Sequence, residues 1–103
     1  MAEVSVTFDE HRHRWEGRVD GELAGKSYMR RREGLVIFWH TEVDDRFEGL
    51  GVGSKIARTA LDAIAAEGAT KVRPDCPFIR SWIERHPEYQ YLVEERPARE
   101  AHG

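Results

Sequence analysis

Between residues 35 and 65 the spacing of apolar side chains changes period across three alternating glycines, and this change restricts the folds open to the chain. Leu35, Val36, Ile37, Phe38 and Trp39 form an unbroken apolar run suited to a central strand covered on both faces. Beyond Gly49, Gly51 and Gly53, the residues Ile56, Ala57, Ala60, Leu61, Ile64 and Ala65 recur at the spacing of a helix with one buried stripe. Gly68 stops that helix, and residues 71–74 predict a short strand. A strand, a helix and a strand of these lengths make a βαβ crossover, with the two strands parallel.

The flanking segments extend this unit in both directions. Val4, Val6 and Phe8 alternate with Ser5, Thr7 and Asp9 as in a half-buried strand. Residues 14–19 predict a second strand, Asp20-Gly21 a tight turn, and residues 23–30 a returning strand that reaches the apolar run through Glu33-Gly34. On the far side, Asp75-Cys76-Pro77 opens a second helix with Cys76 as its N-cap, and Phe78, Ile79, Trp82 and Ile83 form its stripe until Pro87. Tyr89 and Tyr91 are expected to return as a final strand. The expected fold is α/β (α+β): one domain over residues 1–93, with an antiparallel meander of about four strands, a helix, a short parallel strand and a second helix, and a flexible tail over 94–103.

With 103 residues, 40% of them hydrophobic and 34% charged, the chain suits one solvated globule. A net charge of −3 argues against a broad phosphate-binding face, so no nucleic acid is expected; Arg30, Arg31 and Arg32 read as a solvated hairpin end. No apolar stretch approaches the ~20 residues of a membrane span, and the opening residues lack a secretory pattern, so the expected compartment is the cytoplasm. A monomer or weak homodimer is expected. The single cysteine cannot form an internal disulfide, leaving Cys76 as either a small buried hydrophobe or a useful thiol. His11 and His13 can share a strand face but lack a third ligand, so no metal is expected.

Glycines between a buried strand and a helix let the backbone approach a ligand, and the N–H groups of the helix start attract an anion. Packing is the other use of such glycines. The segment is out of register for a nucleoside-triphosphate loop, since Gly53 is followed by Ser54-Lys55-Ile56. A dinucleotide fingerprint fails because Ser54 stands where its third glycine belongs. What remains is Arg46, Gly49 and Gly51 in the pattern Arg/Gln-x-x-Gly-x-Gly/Ala, which is similar to the pyrophosphate loop of the GCN5-related N-acetyltransferases. With His40-Thr41-Glu42-Val43 before the loop, and Cys76-Pro77-Phe78 and Arg85-His86-Pro87-Glu88-Tyr89 after its helix, residues 4–91 resemble the very small YjdJ-type subfamily of that family.

The resemblance implies an acetyltransferase fold with acetyl-CoA (coenzyme A) as acyl donor. It places the pyrophosphate on the N–H groups of Glu48, Gly49, Leu50, Gly51, Val52, Gly53 and Ser54, with charge from Arg46 or Lys55. It places pantetheine on the splayed central strand near Glu42 and Val43, and gives Cys76 a suspected catalytic part beside the coenzyme. Asp44-Asp45 departs from prolines common in the family, and Asp75 from an apolar residue before the cysteine.

Acyl transfer to an amine also needs a base, because a lysine amine is almost wholly protonated at neutral pH. His40 and Glu42, two apart on a strand, share a face and are candidates to point into the same cleft, or else are satisfied strand-end residues. His86 is a third candidate, or else a cap for helix carbonyls or a ring stacked on Tyr89. At a helix N-terminus Cys76 gains support for a thiolate and an acetyl-cysteine, which Asp75 opposes; otherwise it lies buried or merely next to CoA. The expected function is an acetyl-CoA-dependent N-acetyltransferase acting on a protein lysine or a small amine. The alternatives are a CoA-binding module with little turnover and a plain protein-interaction domain. Larger members use N-terminal helices to enclose the acceptor, and too little chain precedes residue 8 for these, so an open acceptor side is expected.

Overall fold

The computed structural model describes residues 3–95. Strands β1 (Val4–Asp9), β2 (Arg14–Val19), β3 (Glu22–Arg32) and β4 (Leu35–Val43) form an antiparallel meander. A 3-10 turn at Asp45–Phe47 leads into helix α1 (Val52–Glu67), strand β5 (Lys71–Pro74), helix α2 (Pro77–Arg85) and a 3-10 helix at Pro87–Leu92. The sheet order is β1-β2-β3-β4-β5, and only β4 and β5 are parallel. None of the described helices is long and apolar enough to cross a membrane.

Turn chemistry closes the meander where the sequence predicts it. Asp20 and Gly21 both take positive φ, as a two-residue hairpin turn requires. The crossover follows from the α1 stripe: Ile56, Ala57, Ala60, Leu61 and Ile64 are fully buried against the sheet. Ala57 and Ala60 let the helix approach closely, Leu61 and Ile64 fill the space beside Met29, Val36, Phe38 and Val72, and Ile56 packs with Val19, Ala24 and Val52. Ile79, Trp82 and Ile83 of α2, with Tyr89 and Leu92, enter the same cluster, so α1, α2 and the closing 3-10 helix share one face of the sheet.

The opposite, outer face carries no helix among the described residues. The expectation that β4 is covered on both faces therefore needs correction. Ile37 is buried between its register partners Arg30 and Arg73, whose aliphatic stems can shield it, but Trp39 is 45% exposed. Tyr89 and Tyr91 do not form a final strand either: Pro87 starts a 3-10 turn, and only Val93 pairs, through an isolated parallel bridge to Val72. Glu94 donates its N–H to Val72 and accepts from Arg73 Nε at 2.7 Å. Residues 96–103 of the expected tail lie outside the described residues.

Candidate functional site

The site originates in a mismatch of strand lengths. β5 pairs with β4 only through residues 35–38, and the Cys76 N–H then closes on the Phe38 carbonyl at 2.8 Å. Residues 40–43 keep their pairing to β3 but have no strand on their other side. The two strands thus part where the polar end of β4 begins.

A bulge decides which side chains face which way there. Met29 pairs with Phe38 and Tyr28 with His40, so Trp39 is an extra residue in β4. Ahead of the bulge, Val36 and Phe38 face the helices. After it, Thr41 and Val43 do: Thr41 hydrogen-bonds Ser27, which is fully buried, and Val43 lines a cleft with the glycine loop. His40 and Glu42 consequently lie on the outer face, as expected of a shared face but not in the cleft of the glycine loop. His40 Nε2 contacts Glu42 Oε2 at 2.8 Å, and Lys26 Nζ reaches Glu42 Oε1 at 3.2 Å. These two donors, His40 first, hold the Glu42 carboxyl below the usual carboxylate range.

The cleft on the helix side encloses about 400 Å³ and is lined by Val43, Phe47, Glu48, Gly49, Val52, Ser54, Phe78, Trp82, Arg85 and His86, with Gly51 and Gly53. Gly51 is the N-cap of α1 with φ 77°, a left-handed conformation that favours glycine, and as a glycine it brings no side chain to cap the helix. No acidic residue lies in its first turn, so the first N–H groups remain available to an anion. Gly53 has a separate reason: a Cβ there would lie 2.7 Å from Phe78 Cζ, so this glycine lets α2 pack against α1.

The other expected coenzyme contacts divide. Leu50 sits exposed at the loop tip, and Lys55 is exposed on α1; neither lines the cleft. Arg46 is held by Asp44 at 3.2 Å and Glu22 at 3.0 Å. Asp44 also accepts the Arg46 backbone N–H at 2.9 Å, capping the 3-10 turn, which gives this aspartate a local structural role.

Cys76 is the N-cap of α2, as expected, but only 2% exposed and not in the cleft lining. Its thiol donates to Thr41 Oγ1 at 3.1 Å, and Thr41 Oγ1 lies 2.9 Å from Ser27 Oγ, so a half-buried threonine links buried Cys76 and Ser27 and joins α2, β4 and β3. His86 caps the Trp82 carbonyl through Nδ1 at 2.8 Å and stacks on the Trp82 ring at 3.8 Å, not on Tyr89. Trp82 Nε1 in turn donates to Ser54 at 2.9 Å, fixing α2 to the loop end of α1. Phe47, Phe78, Trp82 and Arg85 in the cleft wall were not anticipated; the only sequence signal for them is their position immediately beside the loop and along the α2 stripe. His11 and His13 fall in the β1–β2 turn, not together on a strand.

Comparison with known proteins gives a concordant picture. Protein NATD1 of Mus musculus is 29% identical over 96 residues, covering 91% of this chain and 86% of that protein, and Protein NATD1 of Homo sapiens is likewise 29% identical, covering 91% and 84%. Among solved structures, the ribosomal-protein-S18-alanine N-acetyltransferase from Escherichia coli superposes with a TM-score of 0.61 at 13% identity, over 76% of this chain and 53% of that one. This chain thus spans about half of that enzyme. The ribosomal-protein-alanine N-acetyltransferase from Brucella melitensis biovar Abortus 2308 gives 0.57 at 14% identity, over 93% of both chains. These two likenesses share the mixed sheet and its helices. Residues 14–92 match the model of the GCN5-related N-acetyl-transferase family, and with more than half its length matched the chain belongs to that family.

Proposed function

We propose that this chain moves an acetyl group from acetyl-CoA to an amine, with the coenzyme on the helix face of the parted strands and the amine arriving from the outer face. The observation that carries the reading is the parting of β4 from β5 beside the uncapped N-terminus of α1. The gap leaves strand backbone for pantetheine, and the helix start offers N–H groups to the pyrophosphate. The coenzyme supplies an acyl thioester; Glu48, Gly49, Gly51 and Ser54 would hold its anionic part, Val43 its arm, and Phe78 the dry wall between them.

On the outer face, Glu42 accepts a hydrogen bond from the Nε2–H of His40, which leaves Nδ1 as an acceptor for the ammonium proton of the incoming amine. The freed amine would attack the thioester carbonyl while a backbone N–H of residues 42–43 stabilises the oxyanion; the carbon–sulfur bond breaks, the surplus proton on the new amide nitrogen passes to the departing thiolate to release CoA as its thiol, and His40 returns its proton to water. The buried thiol of Cys76, donated to Thr41, supports direct transfer without an acetyl-cysteine. A second reading, a CoA-binding module with little turnover, is favoured by the outer face itself, where no described helix encloses an acceptor.

Calorimetric titration with acetyl-CoA, with ATP and NAD as controls, separates these from an interaction domain. Selective binding of acetyl-CoA followed by acetylation of at least one amine in a broad panel supports the transferase. Binding without acetylation selects the module, and no binding defeats both.

A further inference from the structure

The outer sheet face combines charges and aromatic rings in a pattern that the transfer chemistry alone does not require. Strand alternation places Arg14 and Glu16 of β2, Lys26, Tyr28, Arg30 and Arg32 of β3, and Glu42 of β4 on this face. Arg31, between two of them, points the other way and pairs with Glu67 of α1, which fixes the assignment. Two carboxylates are saturated here. Glu16 is held by both Arg14 and Arg18 at 2.8 Å, and Glu42 by Lys26 and His40. Arg30 and Arg32 have no carboxylate partner among the described residues; Arg30 rests over the ring of Trp39 at 5.5 Å. Trp39, Tyr28 and His40 lie with their ring centroids 5.2 to 5.9 Å apart. A chain of net charge −3 therefore presents its uncovered face as a cationic, aromatic platform.

Resting on the proposed transferase reading, we infer that the acceptor is an acidic polypeptide segment laid along this face, with carboxylates two and four residues to one side of the acetylated lysine. The spacing comes from the strand itself. Tyr28 is the register partner of His40, and Arg30 and Arg32 follow it by two and four residues, about 7 and 13 Å along the strand at ~3.3 Å per residue. An extended peptide whose lysine sits at His40 brings its own side chains past the two arginines at the same interval. Trp39 and Tyr28 flank His40 and can line the aliphatic stem of the lysine. A uniform polyanion fits less well, because Glu16 and Glu42 occupy Arg14, Arg18, Lys26 and His40 and leave Arg30 and Arg32 as the arginines of this face without a carboxylate partner among the described residues.

The test uses fluorescence anisotropy with three labelled lysine peptides, bearing Glu, Gln or Lys at the second and fourth positions from the acceptor, and needs no coenzyme. The acidic peptide is expected to bind about tenfold more tightly than the neutral one at low salt. In R30E/R32E the order of acidic and basic peptides should reverse, in R30Q/R32Q the preference should vanish, and acetyl-CoA affinity should stay unchanged in both. Equal binding of the three peptides by the wild-type chain, or an acidic preference surviving in R30E/R32E, overturns the inference. So does a single-stranded RNA that displaces the acidic peptide at equal concentration. Loss of acetyl-CoA binding in the wild-type chain would instead strike the transferase reading, and the peptide preference distinguishes the two failures.

Discussion

The two faces of the sheet obey different rules although the same strands build them. On the helix face, Val36, Phe38 and Val72 are fully buried under α1 and α2, and shape decides what is allowed. On the outer face, Trp39, His40 and Glu42 are exposed and pairing of charge decides. The contrast teaches that burial is local to a side chain: one bulged residue in β4 moves the next four positions between regimes. It also separates the two partners of the proposed acyl transfer, with the cleft on the helix side for the donor and the exposed outer face for the acceptor.

The sharpest way to break the comparison is to truncate neighbours across the bulge. Phe38→Ala should cost about 3–5 kcal/mol in chemical denaturation, while Trp39→Ala should cost about 1 kcal/mol or less. Similar losses would mean that the outer face is packed after all. Next comes His40→Gln, expected to lower kcat for amine acetylation by roughly a hundredfold at unchanged acetyl-CoA affinity; a parallel loss of affinity would place His40 on the donor side. Gly51→Leu forces a left-handed conformation on a side chain at the head of α1 and should weaken acetyl-CoA binding by about tenfold or more, with helix content by circular dichroism retained. Unchanged affinity would move the anion elsewhere.

Smaller effects concern charge and the thiol. Burial pushes the Glu16 carboxyl up, but the guanidinium groups of Arg14 and Arg18 outweigh it and leave the group below the ordinary carboxylate range. The stability it contributes is therefore present above the unfolded carboxyl value and lost as pH falls through the folded one. Glu16→Gln should cost about 1–2 kcal/mol at neutral pH, and the gap between variant and wild type should shrink below about pH 4. A pH-independent gap would assign the cost to packing. Least affected should be Cys76→Ala, with acetyl transfer within about twofold of wild type; near-complete loss would restore the acetyl-cysteine route.

Periodicity made the scaffold legible. The α1 stripe, the turns at Asp20-Gly21 and Glu33-Gly34, and the Cys76 N-cap follow from local residue chemistry that tertiary contacts leave in place. What stayed hidden depends on contacts between segments distant in the chain. The bulge at Trp39 arises in the pairing of β4 with β3, so strict alternation could place His40 and Glu42 together but not on the correct face. The cleft wall of Phe78, Arg85 and His86 needs α2 packed across the start of α1, and Gly53 looks like a loop glycine until Phe78 is set against it. Glu16 reads as an ordinary strand-surface residue; its burial follows from two arginines that fold over it.

The strand order carries a kinetic consequence. β1 to β4 pair with their chain neighbours, so their hairpins close over short turns, whereas β5 reaches β4 across the whole of α1, joining Leu35 to Lys71. Non-local closure of this kind comes late in folding, and it is this closure that completes the cleft. A coenzyme that binds only the finished cleft should therefore leave the refolding rate nearly unaltered and slow unfolding instead, a difference readable from the two arms of a denaturant chevron recorded with and without acetyl-CoA.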